Sequence, residues 1–227
     1  VIGVARAAWL IARKDLRVEA RNREIAYTTL FLAMACVLIF AFAFVVEGQP
    51  LADAAAGILW VAVAFSGTLA LGRAFERERQ SETLRALLLA PVERAAVYLG
   101  KLLALLILMI GVELVIVPVI GVLFGAPLGR APWLLAGLVA TGTVGFAAVG
   151  TLFAAMLVRA QSRDVLLPVL LYPTVVPVIV AGVRGTAALF AVEPNLDVAR
   201  AWLTMLIFFD AVFVTLALWL FAPVMRE

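Results

Sequence analysis

Residues 102–124 read LLALLILMIGVELVIVPVIGVLF, with Glu113 as the single charge. A run of about 18 or more apolar residues reads as a membrane-crossing helix, because it matches the thickness of a bilayer's hydrocarbon core. Five similar runs lie around it. The predicted spans are Ile25–Val46, Ala54–Gly72, Leu102–Phe124, Trp133–Val158, Val165–Val183 and Ala201–Pro223. Lipid offers no hydrogen-bond partner to a bare backbone, so all of them are expected to be helical. Composition agrees: 66% of the residues are apolar and 15% charged, against about 45–50% and 25% in soluble domains. The expectation is an all-α integral membrane protein, a single domain over residues 1–227.

Composition also removes function classes. The chain has no His and one Cys, Cys36, inside an apolar run. That excludes a His/Cys zinc site, a CxxC redox pair, a disulfide framework and a haem-attachment motif. No GxxxxGK[ST] occurs, so any nucleotide chemistry must come from a partner. Basic residues run through the N-terminus without a cleavage site after a short apolar core, so no signal peptide is expected. The chain opens on Val1 rather than Met, as expected of a sequence lacking its first residues.

Arg and Lys set the expected orientation. Alternate connections place fifteen on one side, among them Arg13, Lys14, Arg17, Arg73, Arg94, Lys101 and Arg163, and three on the other, Arg130, Arg184 and Arg200. By the positive-inside rule both termini are cytoplasmic. The basic pI therefore reads as an insertion signal and not as a nucleic-acid interface. Before the first span, Arg6, Arg13, Lys14, Arg17 and Arg21 share one helical arc, beside an apolar arc of Ile2, Ala5, Trp9, Ala12, Leu16 and Ala20. That pattern suits a helix over residues 1–23 lying in the membrane interface, with Trp9 at headgroup level; the plainer reading is a basic flank that orients the first span.

The stretch FERERQSETLRALLLAPVERAAVYLGK, Phe75–Lys101, falls on the expected cytoplasmic side. Ser81 suits an N-cap and Glu82 the first turn of a helix. Leu84, Leu87 and Leu88 then share a face, Arg85 lies on its rim, and Pro91 stops the helix. A short helix over 81–90 with a leucine face either enters a groove on another protein or rests on the inner leaflet.

These residues carry a resemblance. GILWVAVAFSGTLALGRAFERERQSETLRALLLAPVERAAVYLGK (Gly57–Lys101) resembles the permease subunits of type-2 ABC exporters. More closely, it is similar to the haem-exporter permeases of cytochrome c maturation, the CcmB family. The likeness continues through LLPVLLYPTVVPVIVAG (Leu166–Gly182), where Pro173 and Pro177 match a family proline pattern. Glu82 stands where the family often has Gly, and Arg85 where it often has an acid. The resemblance implies that 81–90 is a coupling helix docking on a separate ABC ATPase subunit, which binds the ATP. It further implies a homodimer in the bacterial inner membrane, a haem-handling membrane protein as partner, and haem as cargo rather than as a bound cofactor. A permease for another cargo, such as a lipid or drug, remains open. So does an ion-coupled carrier using Glu113 and Asp210.

Those two acids are predicted near the middle of the third and sixth spans, where an acid costs about 2.5–3.5 kcal/mol on insertion scales. They read either as part of a transport path or as buried structural contacts. Pro168, Pro173 and Pro177 are expected to kink or unwind the fifth span, as a gate or as a static bend. Gly137, Thr141, Gly142, Gly145 and Gly150 leave the fourth span smooth enough for close packing. Residues 184–200 are expected to include a short helix on the outer surface. With no His, only Cys36, the methionines and Tyr27, Tyr98 and Tyr172 remain as ligands for haem iron, and none forms a recognisable site.

Overall fold

The computed structural model describes residues 3–46, 49–50, 54–81, 93–158, 160 and 162–224. Among these described residues seven long helices follow one another: α1 (Val4–Asn22), α2 (Glu24–Ala43), α3 (Ala55–Ser81), α4 (Arg94–Phe124), α5 (Pro132–Met156), α6 (Arg163–Phe190) and α7 (Leu196–Val224). Six of them, α2–α7, are long and apolar enough to cross a membrane. Between α2 and α3, the two-residue strands β1 (Val45–Val46) and β2 (Gln49–Pro50) pair antiparallel. Val45 and Val46 thus leave the first predicted span and pair with Pro50 and Gln49.

Three helix ends differ from expectation. α3 does not stop at Gly72 but runs on to Ser81, so Ser81 is the last helical residue of α3 instead of the N-cap of a new helix. α6 continues past Val183 to Phe190, and α7 begins at Leu196; the expected separate surface helix in 184–200 is therefore divided between them. Pro168, Pro173 and Pro177 do not unwind α6, which stays helical through all three.

Local chemistry explains the turns. At the joint of α1 and α2, Arg23 takes a left-handed conformation (φ 53°). Glu19 reaches across the joint, its Oε1 accepting the Ala26 N–H at 2.8 Å, and so satisfies one of α2's orphan donors. Gly125 ends α4 in the left-handed region, and Pro132 opens α5 where its missing N–H costs nothing. Asn195 caps α7 by accepting the Val198 N–H at 3.0 Å. Arg130 donates to the Ala191 and Val192 carbonyls at 2.8 and 3.0 Å, tying the α4–α5 connection to the α6–α7 connection. At the opposite end Arg73 lies 4.0 Å from Glu24, and Lys101 pairs with Asp15 at 2.6 Å.

α5 is the central helix, packing on α3, α4, α6 and α7. Small residues make that possible, since lipid gives helices no hydrophobic reason to associate and close packing must do so instead. The clearest case is Trp60 on α3, which is 2% exposed. Its ring fills notches left by Gly142 on α5 and Gly182 on α6: an added Cβ would lie 2.0 Å and 2.2 Å from ring carbons. The indole N–H donates to Thr186 Oγ1 on α6 at 3.3 Å. Trp60 therefore pins three helices at once. Gly142→Ala is expected to destabilise the protein by about 1–3 kcal/mol through overpacking. Gly111→Ala, whose Cβ would meet nothing within 4 Å, serves as the control. Melting in detergent should fall for the first variant and hold for the second.

α1 also packs on the bundle: Ala7, Ala8, Ile11, Ala12 and Glu19 are buried, and the helix packs mainly on α4, whereas Trp9, Ala5 and Ala20 stay exposed. The physical reason is Gly100 on α4, where a Cβ would come within 2.7 Å of Ile11 and 2.9 Å of the Ala8 carbonyl. Backbone-to-backbone approach decides the face, and the basic arc is left outward.

Candidate transport path and docking segment

Glu82, Leu84, Arg85, Leu87, Leu88 and Pro91 lie outside the described residues, and Ser81 is the last residue of α3. What brackets them is defined. α3 and α4 pack on each other. With 31 residues α4 is about 46 Å long, more than the roughly 30 Å of hydrocarbon it needs to cross. Its first turns are fastened to the bundle: Tyr98 is buried, donates to the Ala148 carbonyl at 3.0 Å and meets Phe221 with ring centroids 5.4 Å apart. Residues 82–92 thus join two helices that are each long and apolar enough to cross a membrane.

Glu113 is 4% exposed on α4 and faces α5. Its Oε1 is hydrogen-bonded with Thr143 Oγ1, which also lies 2.8 Å from the Val139 carbonyl. A hydroxyl has one proton to donate. When Thr143 gives it to Val139, the bond to Glu113 requires the carboxyl as donor, which only the neutral acid can be. Glu113 Oε2 is buried without a hydrogen-bond partner among the described residues.

Asp210 on α7 is half-buried, and its Oδ1 is likewise buried without a partner among the described residues. That oxygen rests on α5 where Gly145 lacks a side chain, 2.6 Å from where a Cβ would stand. Thr143 and Gly145 are two residues apart, so the acids lie at similar depth but about 200° apart around α5. The structure does not bring Glu113 and Asp210 together. Nor do the prolines join them: Pro173 and Pro177 are on the exposed face of α6, opposite buried Leu171, Val175 and Val178, and Pro168 is half-buried.

Sequence reasoning missed several contacts beside these. Thr68 on α3 and Tyr172 on α6 are hydrogen-bonded at 3.2 Å, a second pin between the helices that Trp60 and Thr186 join nearer their other ends. The prolines at 173 and 177 lie between the two pins. Lys101, counted only as a topological charge, is 9% exposed and paired with Asp15. Among the described residues no cluster of three or more His, Cys, Asp or Glu side chains could hold a metal.

Comparison with known proteins agrees with this architecture. Over 96 residues the chain is 36% identical to heme exporter protein B of Escherichia coli K12, an alignment taking in 42% of this chain and 44% of that relative. The chain thus spans less than half the length of that relative. With heme exporter protein B of Paracoccus denitrificans it shares 32% identity over 174 residues, 76% of this chain and 78% of the relative. With that of Rhodobacter capsulatus it shares 32% over 184 residues, 79% and 84% respectively. The family described as CcmB protein matches residues 6–227, almost the whole length over which the six apolar helices are laid out, and the chain belongs to that family.

Proposed function

We propose that the chain is the membrane permease subunit of an ABC-type haem exporter serving cytochrome c maturation, not itself an enzyme. A separate ATPase subunit supplies the energy. The observation that carries this reading is the family match over residues 6–227, together with relatives named heme exporter protein B. Residues 81–91 dock on the ATPase through Leu84, Leu87 and Leu88, with Ser81, Glu82 and Arg85 around them and Pro91 closing the segment. Movement then enters α3 and α4 directly. The subunit works as a homodimer in the bacterial inner membrane, with both termini cytoplasmic and a haem-handling membrane protein beside it. Asp210 and the proline-bearing face of α6 are its transport-path candidates. Glu113, enclosed between α4 and α5, is assigned to holding those helices together.

Affinity purification in mild detergent, with identification of partners and an absorbance scan, tests this directly. An ATPase and a haem-handling protein should both come down. An ATPase alone would favour a permease for a lipid or drug, and transport without any ATPase would favour an ion-coupled carrier. A related expectation concerns the cargo. With no His in the chain and lone Met a weak ligand for iron, the isolated subunit should carry no stoichiometric haem while the complex with its partner does. A Soret band at one haem per isolated chain, abolished by changing Cys36 or Tyr172, would contradict this.

A further inference from the structure

Among the described helices, α1 is the one that is not apolar enough to cross a membrane. Its surface divides into three parts. Ala7, Ala8, Ile11 and Ala12 are buried on the side that meets α4 around Gly100. Beside them Ala5, Trp9 and Ala20 form an open apolar arc, with Trp9 53% exposed. Beyond that arc, turned away from the bundle, lie Arg6, Arg13, Arg17 and Arg21, all exposed and within about 80° of one another. Leu10 is exposed among them.

The acids of α1 are on the other side. Asp15 is bonded to Lys101 at 2.6 Å, and Glu19 is buried, accepting the Ala26 N–H at the joint with α2. Glu24, the next acid along the chain, lies 4.0 Å from Arg73 of α3. None of the four arginines is in a salt bridge among the described residues. Four guanidinium groups therefore share an open face of α1 that bears no carboxylate.

Contacts fix the depth of that face. α1 touches α4 at Gly100 and Lys101, immediately before the apolar run that begins at Leu102, and it ends where α2 starts its span. That is headgroup depth. A soluble acidic partner would use the arginines but leave Trp9 and Leu10 in water. A neutral leaflet would take Trp9 and Leu10 but not the charges. An anionic leaflet takes both.

We propose that the outward face of α1 binds the phosphates of anionic phospholipids, with Trp9 and Leu10 set among the upper acyl chains. Lys and Arg at a membrane surface attract anionic lipid, and a guanidinium pairs with phosphate through two parallel N–H···O bonds. The bound lipid holds α1 against α4, the helix that residues 82–92 lead into. This binding needs only the membrane-spanning bundle and is independent of the cargo.

The test reconstitutes the full chain in nanodiscs of phosphatidylcholine, with or without phosphatidylglycerol. Hydrogen exchange of residues 4–22 is followed, with α5 as the internal reference. Exchange should slow on the order of tenfold with phosphatidylglycerol, and not when inorganic phosphate is added to phosphatidylcholine discs. Salt at about 1 M should erase the gain, because the screening length falls to about 3 Å. Changing Arg6→Gln, Arg13→Gln and Arg17→Gln together should remove most of the difference, while Lys at the same three positions should keep it. Arg13→Gln alone should cut it about twofold, which keeps the question answerable if the triple variant inserts poorly. Equal exchange in the two lipids, equal slowing by phosphate, or an unchanged difference in the Gln variants would each overturn the proposal. So would slowing seen only when a purified ATPase subunit is added, which would give the arginines to a protein.

Discussion

Leu87→Asp or Leu88→Asp is expected to strip the ATPase from the purified subunit, with retained ATPase falling on the order of tenfold or more, because an unpaired carboxylate in an apolar groove costs several kcal/mol. The membrane bundle should be unaffected, since its helices are held by contacts that these residues do not make: Trp60 in its glycine notches, Tyr98 on the Ala148 carbonyl, Glu113 with Thr143. Abundance in the membrane and melting in detergent are the controls. Arg85→Glu makes a graded comparison. It changes a rim charge, so it should alter the salt dependence of association more than the amount of ATPase retained. If both aspartate variants keep full ATPase occupancy, residues 81–91 do not form the docking surface. The family membership stands apart from that result, because it rests on the whole of residues 6–227.

The residues tell bilayer depth better than they tell helix ends. Hydropathy drops at Arg73 because the chain leaves hydrocarbon there, yet nothing in AFERERQS breaks a helix, and α3 continues to Ser81. The same distinction explains α6. Arg184 signals the membrane surface, but the next helix breaker comes only after Phe190, where Arg130 takes up the exposed carbonyls. The proline triplet was readable as an irregularity of the fifth span, but its effect depended on neighbours. With Pro173 and Pro177 on the exposed face, the rings meet no packed helix, and α6 stays helical through them.

Side-chain partnerships were the least legible part. Trp60 and Thr186 are 126 residues apart in the chain, and no local pattern announces that Gly142 and Gly182 are cut to receive an indole. The smoothness of the fourth span was visible; which side chain it admitted was not. For α1, the helical wheel identified the basic arc but not the seat, because the seat is chosen by Gly100 on another helix. The acids follow the same rule. Their depth could be read from the centres of two apolar runs, but their separation around α5 is a fact of packing.

That separation shapes the second large effect. Glu113→Lys is expected to remove most of the protein from the membrane, whereas Glu113→Gln should leave abundance and melting near those of the unchanged chain. A Lys at the centre of a span costs about 2.5–3.5 kcal/mol on insertion scales. Here the ammonium would bring three donors to a site whose nearest partner is the single Thr143 oxygen. Gln is different. Its amide N–H₂ can donate to Thr143 Oγ1 while that hydroxyl donates to the Val139 carbonyl, and its carbonyl would take the place of an oxygen that has no partner among the described residues. Thr143→Val should cost about 1–3 kcal/mol, by leaving the buried acid without its bond. Combined with Glu113→Gln the two changes should be non-additive, since both act on one contact. Cytochrome c maturation then separates the two roles. Glu113→Gln with normal abundance and normal maturation marks a polar clasp between α4 and α5. Normal abundance with maturation abolished would require the carboxyl itself, and would move Glu113 from the scaffold into the transport path beside Asp210.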